Sequence, residues 1–234
     1  MLCDLERLQL SSIKWPVVEA IGWPVLEVQG SIVNPTHNLS LKLKAMLQSL
    51  FDWRWKWDDH CHSNVTTGPT DPANTVITDQ QGNPQFQTYL SFTDIAIKNI
   101  MYYQATLVLV LRIGKLILSD DLIESVDKRP PLDLALPLPP TPLLRPTEID
   151  SLEDASWEFY RAMEGHLCSG GDQPAAEFYQ LMYPLSLVSH GIEEGSLEET
   201  WISRIRSRIM KANGYKMWAT GGERSTGGTE GSKP

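Results

Sequence analysis

One apolar segment near the middle of the chain sets the strongest constraint on the fold. The 13 residues of Asn99–Leu111, "NIMYYQATLVLVL", carry no charge. A membrane-spanning helix needs about 20 apolar residues, so this run is too short to cross a bilayer. The pattern predicts a helix that begins after Thr93 or Asp94 and ends near Leu118. Because apolar side chains almost encircle it, we expect it at the centre of the fold; they are Ile95, Ile100, Tyr103, Leu107, Leu109, Leu111 and Ile113.

A second helix is predicted to begin near Asn38 or Ser40 and to end on the stretch "FDWRWKW", residues 51–57. Apolar residues at steps of three and four place one face of this helix against a core. That face comprises Leu39, Leu43, Met46, Leu47, Leu50 and Phe51. From Asp58 to Thr88 the chain is polar and rich in turn residues, and it is predicted to form a loop.

Three more helical segments are predicted in the C-terminal half. "SLEDASWEFYRAMEGHL" has an apolar stripe made by Leu152, Ala155, Phe159, Met163 and Leu167. "PAAEFYQLMYPLSLVSH" opens with Pro174 in its first turn, and Pro184 is expected to kink or break it. In "SLEETWISRIRSRIMKANG", Ser196 and Glu199 form a capping-box pattern and Gly214 ends the helix. Its buried face is expected to contain Trp201, Ile202, Ile205 and Ile209.

Seven prolines between Pro130 and Pro146 exclude helix and central strand, so residues 128–147 are predicted to be an extended connector docked through its leucines. Little strand signal appears anywhere. The expected fold is all-α, an irregular multi-helix bundle with a proline-rich connector and a disordered C-terminal tail. The expected organisation has three parts: an irregular segment 1–37, a helical domain 38–218 and a tail 219–234.

Charge and cysteine content narrow the class of protein. The formal net charge is -9 and the pI about 5.0, which argues against broad attraction to nucleic acid phosphates. Three dispersed cysteines, Cys3, Cys61 and Cys168, make no disulfide framework and favour a reducing intracellular compartment. The N-terminus carries Asp4 and Glu6 and has no apolar core, so it does not read as a signal peptide.

The sequence offers candidate metal ligands but no catalytic motif. The run His60, Cys61 and His62, completed by His166 and Cys168, has zinc-ligand types but not the spaced pairs of structural zinc sites. The favoured interpretation of His60, Cys61 and His62 is a solvated helix end. No metal ligand and no cofactor is therefore expected. No nucleophile elbow, dinucleotide fingerprint or phosphate loop occurs, so no catalytic residue is assigned and the chain is not expected to be an enzyme. The acidic pairs beginning at Asp58, Asp120 and Glu193 are expected to be solvated.

The "WRWKW" stretch could stack on nucleic acid or pack in a core. On a helix, Trp53 and Trp57 share a face while Trp55 points elsewhere, and packing is the favoured interpretation. Arg54 and Lys56 are then expected at the solvent edge. The basic residues of the last helix spread around it and are expected to be a solvated face; they are Arg204, Arg206, Arg208 and Lys211.

The order of these segments resembles the regulatory region of fungal-specific transcription factors, proteins that carry an N-terminal binuclear zinc cluster of six cysteines. The resemblance spans about residues 40–218. Its matching positions are Trp53, Trp55, Trp57, Gly82, Phe86, Phe92, Ala96, Tyr103, Arg161, Glu164, His166, Pro184, Leu185, Glu198, Trp201 and Gly214. The chain departs from the pattern at Tyr160 and Ala162, within "FYRA", and at Gly165, where the family usually has a tyrosine.

This resemblance implies a regulatory half that acts in the nucleus, on a protein partner, a homodimer or a small effector. A role in a fungal secondary-metabolite gene cluster fits the family. Three cysteines cannot build the six-cysteine cluster, so no sequence-specific DNA contact is expected from these residues. The irregular residues 1–37 fit either a truncated or rearranged copy or a mispredicted gene start. The alternative function is a stand-alone helical protein, cytoplasmic if not nuclear, that binds a small apolar ligand or a partner protein.

Overall fold

The computed structural model describes residues 35–61, 65–117, 122–134, 137–169 and 181–212. In these regions 58% of the residues are helical, so the expectation of a mostly helical protein is confirmed. The elements are helices α1 (Pro35–Cys61), α2 (Asp94–Ile117), α3 (Leu152–Ser169), α4 (Met182–Ser189) and α5 (Leu197–Ala212), with strands β1 (Val65–Pro69) and β2 (Thr88–Phe92).

Helix α2 is the centre of the fold, as its apolar sequence predicts. It packs against α1, α3 and α4. Its start is fixed by Thr93, whose carbonyl oxygen accepts the backbone N–H groups of Ala96 and Ile97 at 2.9 and 3.2 Å. The side chains of Ile100 and Tyr103 are fully or almost fully buried. None of the described helices is both long and apolar enough to cross a membrane.

A two-stranded sheet corrects the expectation that the chain contains only helices. Strands β1 and β2 pair antiparallel, with Val65 opposite Phe92 and Pro69 opposite Thr88. Both strands are rich in β-branched and aromatic residues, and one side of the pair is buried through Val65 and Leu90. The strands are short and border a turn-rich segment, which is why the sequence pattern predicted a loop there.

A compact turn lies within the long connection between the two strands. The Asp79 carboxylate accepts the backbone N–H groups of Gln81 and Asn83 at 2.9 and 2.8 Å. Together with the Asn83 side-chain amide, these bonds hold the pKa of Asp79 below its usual value. Gly82 has a φ of 88°, which a residue with a Cβ rarely adopts.

The proline-rich connector is extended and docked, as predicted. Over its described residues it forms one short 3-10 turn, Pro146–Glu148, and no α-helix or strand. Leu138 and Leu143 are buried, whereas Leu132 is fully exposed. The Lys128 ammonium adds a polar attachment, because it donates to the carbonyl oxygen of Ile149 at 2.8 Å.

The C-terminal helices follow the predicted stripes. Pro184 lies in the first turn of α4, where a backbone N–H would have no helical partner. The segment before Leu181, which would show whether Pro184 kinks or breaks a longer helix, lies outside the described residues. At the start of α5, Ser196 Oγ accepts the Glu199 N–H at 3.2 Å, while the Glu199 carboxylate accepts the N–H of Gly195 at 2.6 Å. The expectations for residues 1–34, for Pro174, for Gly214 and for the tail lie outside the described residues.

Candidate functional site

The three tryptophans of "WRWKW" are core residues. Trp53 and Trp57 are buried on one face of α1, which confirms the packing prediction. The ring of Trp53 stacks on Tyr103 of α2 with 5.2 Å between ring centroids. Trp55 points toward the connector, where its indole N–H donates to the carbonyl oxygen of Lys128 at 3.1 Å. With all three rings buried, this stretch presents no platform for stacking nucleic acid bases.

The prediction that Arg54 lies at the solvent edge is wrong, whereas Lys56 is exposed as expected. Arg54 is 0% exposed, and its Nη1 lies 2.6 Å from Asp58 Oδ1. Asp58 is also buried, which contradicts the expectation of a solvated acidic pair. Arg145 of the connector donates to Asp58 Oδ2 at 2.9 Å. The pairing explains the burial, because an unpaired charge in a core is very costly.

Glu158 of α3 belongs to the same buried cluster. Its carboxylate accepts the backbone N–H of Leu144 at 3.1 Å. Burial raises the pKa of Glu158 to about 7, although the nearby Arg54 and Gln104 side chains act in the opposite direction. Burial likewise raises the pKa of Tyr103. We call Arg54, Asp58, Tyr103, Gln104, Arg145 and Glu158 the buried ionic cluster. It joins α1, α2, α3 and the connector, and all its members except the half-buried Arg145 are buried.

A second buried acid, Glu164 of α3, fixes the connection between the strands. Its carboxylate accepts the backbone N–H groups of Val76 and Ile77 at 2.9 and 3.0 Å. Backbone N–H groups that no strand pairs thereby gain a strong, charge-assisted acceptor. Glu164 is thus a structural residue, and so is its neighbour on the next turn, Cys168. The Cys168 thiol has its pKa raised to about 12 by burial and by the Glu164 carboxylate, so it stays protonated at neutral pH.

The basic residues of α5 attach to the same connection and are not merely solvated. The Trp201 indole N–H donates to the carbonyl oxygen of Thr78 at 2.7 Å. Arg204 donates to the Thr78 hydroxyl, and Arg208 donates to the carbonyl oxygen of Asn74. Arg206 instead donates to Ser189 at 2.8 Å, and Lys211 is exposed.

The described side chains include no group of three His, Cys, Asp or Glu residues that could hold a metal ion. The side chains of His60, Cys61 and His62 lie outside the described residues. His166 is buried on α3, and Cys168 is half-buried beside Glu164. The expectation that the chain has no metal site therefore stays a prediction.

The strongest candidate for a binding site is an open cleft of about 750 Å³ between the C-terminal end of α2, the first half of α3 and the connection from α4 to α5. We call it the indole cleft. Its apolar lining is formed by Leu116, Leu152, Trp157, Ile192, Leu197 and Trp201. The two indole rings contact each other, with centroids 5.5 Å apart. Phe86 packs edge-on against Trp157 at 5.3 Å and extends the aromatic contact toward β2.

Charged groups of both signs surround these rings. Arg112 and Lys115 come from α2, and Glu153, Glu193 and Glu198 lie opposite. Arg112 is buried and held by protein groups: it donates to the carbonyl oxygens of Val188 and His190 and pairs with Glu198 at 3.3 Å. Glu193 is exposed, as predicted for that acidic pair, while Asp120 and Asp121 lie outside the described residues.

Sequence reasoning found this site only in part. Glu198 and Trp201 are among the positions that carry the family resemblance, but Trp157, Glu153 and Ser156 were missed. The sequence did contain an indication of this site, because Trp157 is a large apolar residue that lies off the buried stripe of its helix. Glu153 precedes it by one turn and accepts its indole N–H at 3.0 Å.

The described residues form a mostly helical protein with a buried ionic cluster and a large open cleft of mixed apolar and charged character. Comparison with protein-family models, curated proteins and solved structures finds no significant match for this chain.

Proposed function

We propose that this chain is a regulatory domain of the kind found in fungal-specific transcription factors, and that a small effector controls it by binding in the indole cleft. The observation that carries the proposal is the position of the cleft. An effector seated there would touch α2, α3, the start of α5 and the connection that precedes it. Binding at a junction of several elements can shift their packing, which is how a regulatory domain transmits a signal.

The size and lining of the cleft support binding of a small molecule. Its volume of about 750 Å³ lies within the range of roughly 300–1,000 Å³ for ligand pockets, and aromatic and aliphatic side chains form most of its lining. Glu198 and Trp201 are two of the positions that carry the family resemblance, and both line the cleft. The resemblance and the proposed site therefore share residues. A nuclear location and a role in secondary metabolism belong to the proposal through that resemblance alone.

A non-catalytic role is part of the proposal. The buried ionisable groups Asp58, Glu158 and Glu164 are engaged in holding segments of the chain together. Cys168 is kept protonated by its surroundings. Because these residues serve the structure, the accessible polar groups of the site are the charged side chains at the rim of the indole cleft. Such groups are suited to binding a ligand.

A reporter assay tests the regulatory function. The 234-residue chain is fused to a DNA-binding module of known target, and expression of a reporter gene is measured in a fungal host. We expect the fusion to change reporter output several-fold relative to the module alone, and Ile192→Trp, which fills the cleft, to abolish the change. Leu132→Trp, a substitution at a fully exposed position on the connector, is the matched control and should behave as the unmodified fusion.

The second candidate is a stand-alone ligand-binding helical protein, which the same cleft favours. The two are separated by the reporter: equal output from the fusion and from the bare module would contradict the regulatory function and leave only ligand binding. A gel-shift assay with the unfused chain should show no sequence-specific DNA binding. Tight, sequence-specific binding in this assay would contradict the expectation that these residues do not recognise DNA.

A further inference from the structure

We infer that the indole cleft selects a small organic cation, namely a protonated amine carried on an apolar body. The inference rests on the proposed function, because it names the chemical class of the effector for the same cleft. Three independent features of the cleft lead to it: the state of the indole rings, the balance of charge and one buried hydroxyl.

The indole rings offer faces and edges but no free donor. The Trp157 N–H is donated to Glu153 at 3.0 Å, and the Trp201 N–H is donated to the carbonyl oxygen of Thr78 at 2.7 Å. A ligand therefore meets two apolar aromatic surfaces, of which the half-buried Trp157 is the more accessible. The negative face of an indole attracts cations, and tryptophan is the best of the aromatic residues in this respect.

The balance of charge favours the same ligand. Arg112 is neutralised by Glu198 and has its donors engaged by backbone carbonyl groups. The remaining charges of the lining are the exposed carboxylates of Glu153 and Glu193 and the exposed ammonium of Lys115. Two anions against one cation, in a chain with a net charge of -9, attract a positively charged ligand.

The carboxylates also act on one another. The pKa of Glu198 is raised, first by burial; Arg112 lowers it and the Glu153 carboxylate raises it further. Both carboxylates line the cleft, so their mutual repulsion acts inside it. A cation placed between them would relieve this repulsion.

Ser156 supplies a polar contact at the floor of the cleft. It lines the cleft and is only 4% exposed, and its hydroxyl oxygen can accept a hydrogen bond from a ligand seated there. The N–H of a protonated amine would donate to Ser156 Oγ.

A series of ligands that differ only in charge tests the inference. Isothermal titration calorimetry is run on the 234-residue chain with 4-phenylbutylamine, 4-phenylbutanol and 4-phenylbutyrate. We expect the amine to bind about tenfold more tightly than the alcohol, and the acid to bind most weakly. If the alcohol bound as tightly as the amine, or if the acid bound best, the preference for a cation would be refuted. The proposal that the cleft binds an effector would not be contradicted by that result. Absence of binding by all three at millimolar concentration would contradict both.

Substitutions at the rim locate the binding. Glu153→Gln and Glu193→Gln should each weaken the amine several-fold and leave the alcohol unchanged, while Lys115→Gln should tighten the amine. Ser156→Ala should weaken the amine by removing the acceptor. Asp133→Asn, an exposed acid on the connector, is the matched control and should change nothing. Equal loss of amine binding in the control would place the cation on the general surface and refute the site; melting curves verify that each variant is folded.

Discussion

The Glu158 carboxylate accepts a hydrogen bond of 3.1 Å from the backbone N–H of Leu144, and this bond attaches the proline-rich connector to the helical core. Its acceptor is a buried acid whose pKa burial raises to about 7, above the usual value of 4.5. The folded protein therefore binds this proton more tightly than the unfolded chain does. The connector is attached through a group that titrates near neutral pH.

Stability should consequently depend on pH through Glu158. Between about pH 4.5 and pH 7 the unfolded chain releases this proton while the folded protein retains it, so the free energy of unfolding falls as the pH rises. The difference in pKa corresponds to about 3 kcal/mol. Glu158→Gln, which cannot ionise, should remove this contribution, so that the variant gains about 3 kcal/mol relative to the wild type from pH 4.5 to 7.5, as measured by urea denaturation.

The control for this titration is Glu194→Gln, at an exposed position of the connection before α5. It should leave the pH dependence of the wild type unchanged. A parallel pH profile for wild type and Glu158→Gln would show that Glu158 has an ordinary pKa in the folded protein.

Gly165 should tolerate no side chain. A Cβ at this position of α3 would overlap the carbonyl oxygen of Leu90 and lie 2.7 Å from its carbon, and a strand backbone cannot move aside cheaply. Gly165→Ala is expected to lower the free energy of unfolding by about 2–3 kcal/mol despite the better helix propensity of alanine. Gly114→Ala on α2 is the matched control: its Cβ meets the flexible side chain of Leu122, and its effect should stay below about 1 kcal/mol. Equal effects in thermal melts would contradict close helix–strand contact.

Glu164→Gln should loosen the connection between the strands. In either orientation, the amide places its NH₂ where a carboxylate oxygen now accepts the N–H of Val76 or of Ile77, at an expected loss of about 1–3 kcal/mol. Hydrogen exchange should quicken at these two amides more than in α2. Glu124→Gln, at an exposed acid, should leave exchange unchanged. Uniform acceleration across the chain would show general destabilisation and no local attachment.

The helices could be predicted from sequence because their signals are local. The stripe of α3 and the central burial of α2 follow from spacing within one segment. The burial of Arg54 does not, because its surroundings are completed by Arg145 and Glu158, which are about 90 and 100 residues away in sequence. A basic residue flanked by tryptophans is normally placed at a solvent edge, and only the long-range partners reverse this.

The sheet and the cleft escaped prediction for a related reason. Strands β1 and β2 have five residues each and become recognisable only as a pair, with Gly165 of α3 packed against them. The indole cleft gathers residues from four separate segments, so no single motif marks it. Trp201 illustrates the limit: its burial in α5 follows from periodicity, but its contact with Trp157 depends on the tertiary fold.

Removing one partner of the Arg54–Asp58 ion pair should destabilise the protein more than replacing both partners together. Asp58→Ala leaves a fully buried guanidinium without the carboxylate that lies 2.6 Å away, and it also removes one acceptor of Arg145, so we expect a loss of about 3–5 kcal/mol. Replacing both residues, as Arg54→Met with Asp58→Leu, removes the buried charges together and should recover at least half of that loss. The comparison is made by urea denaturation of both variants and of Lys56→Met, an exposed neighbour whose substitution should have little effect. If the double variant were as unstable as Asp58→Ala, the pair would stabilise the fold outright, and the argument from the burial of an unpaired charge would fail.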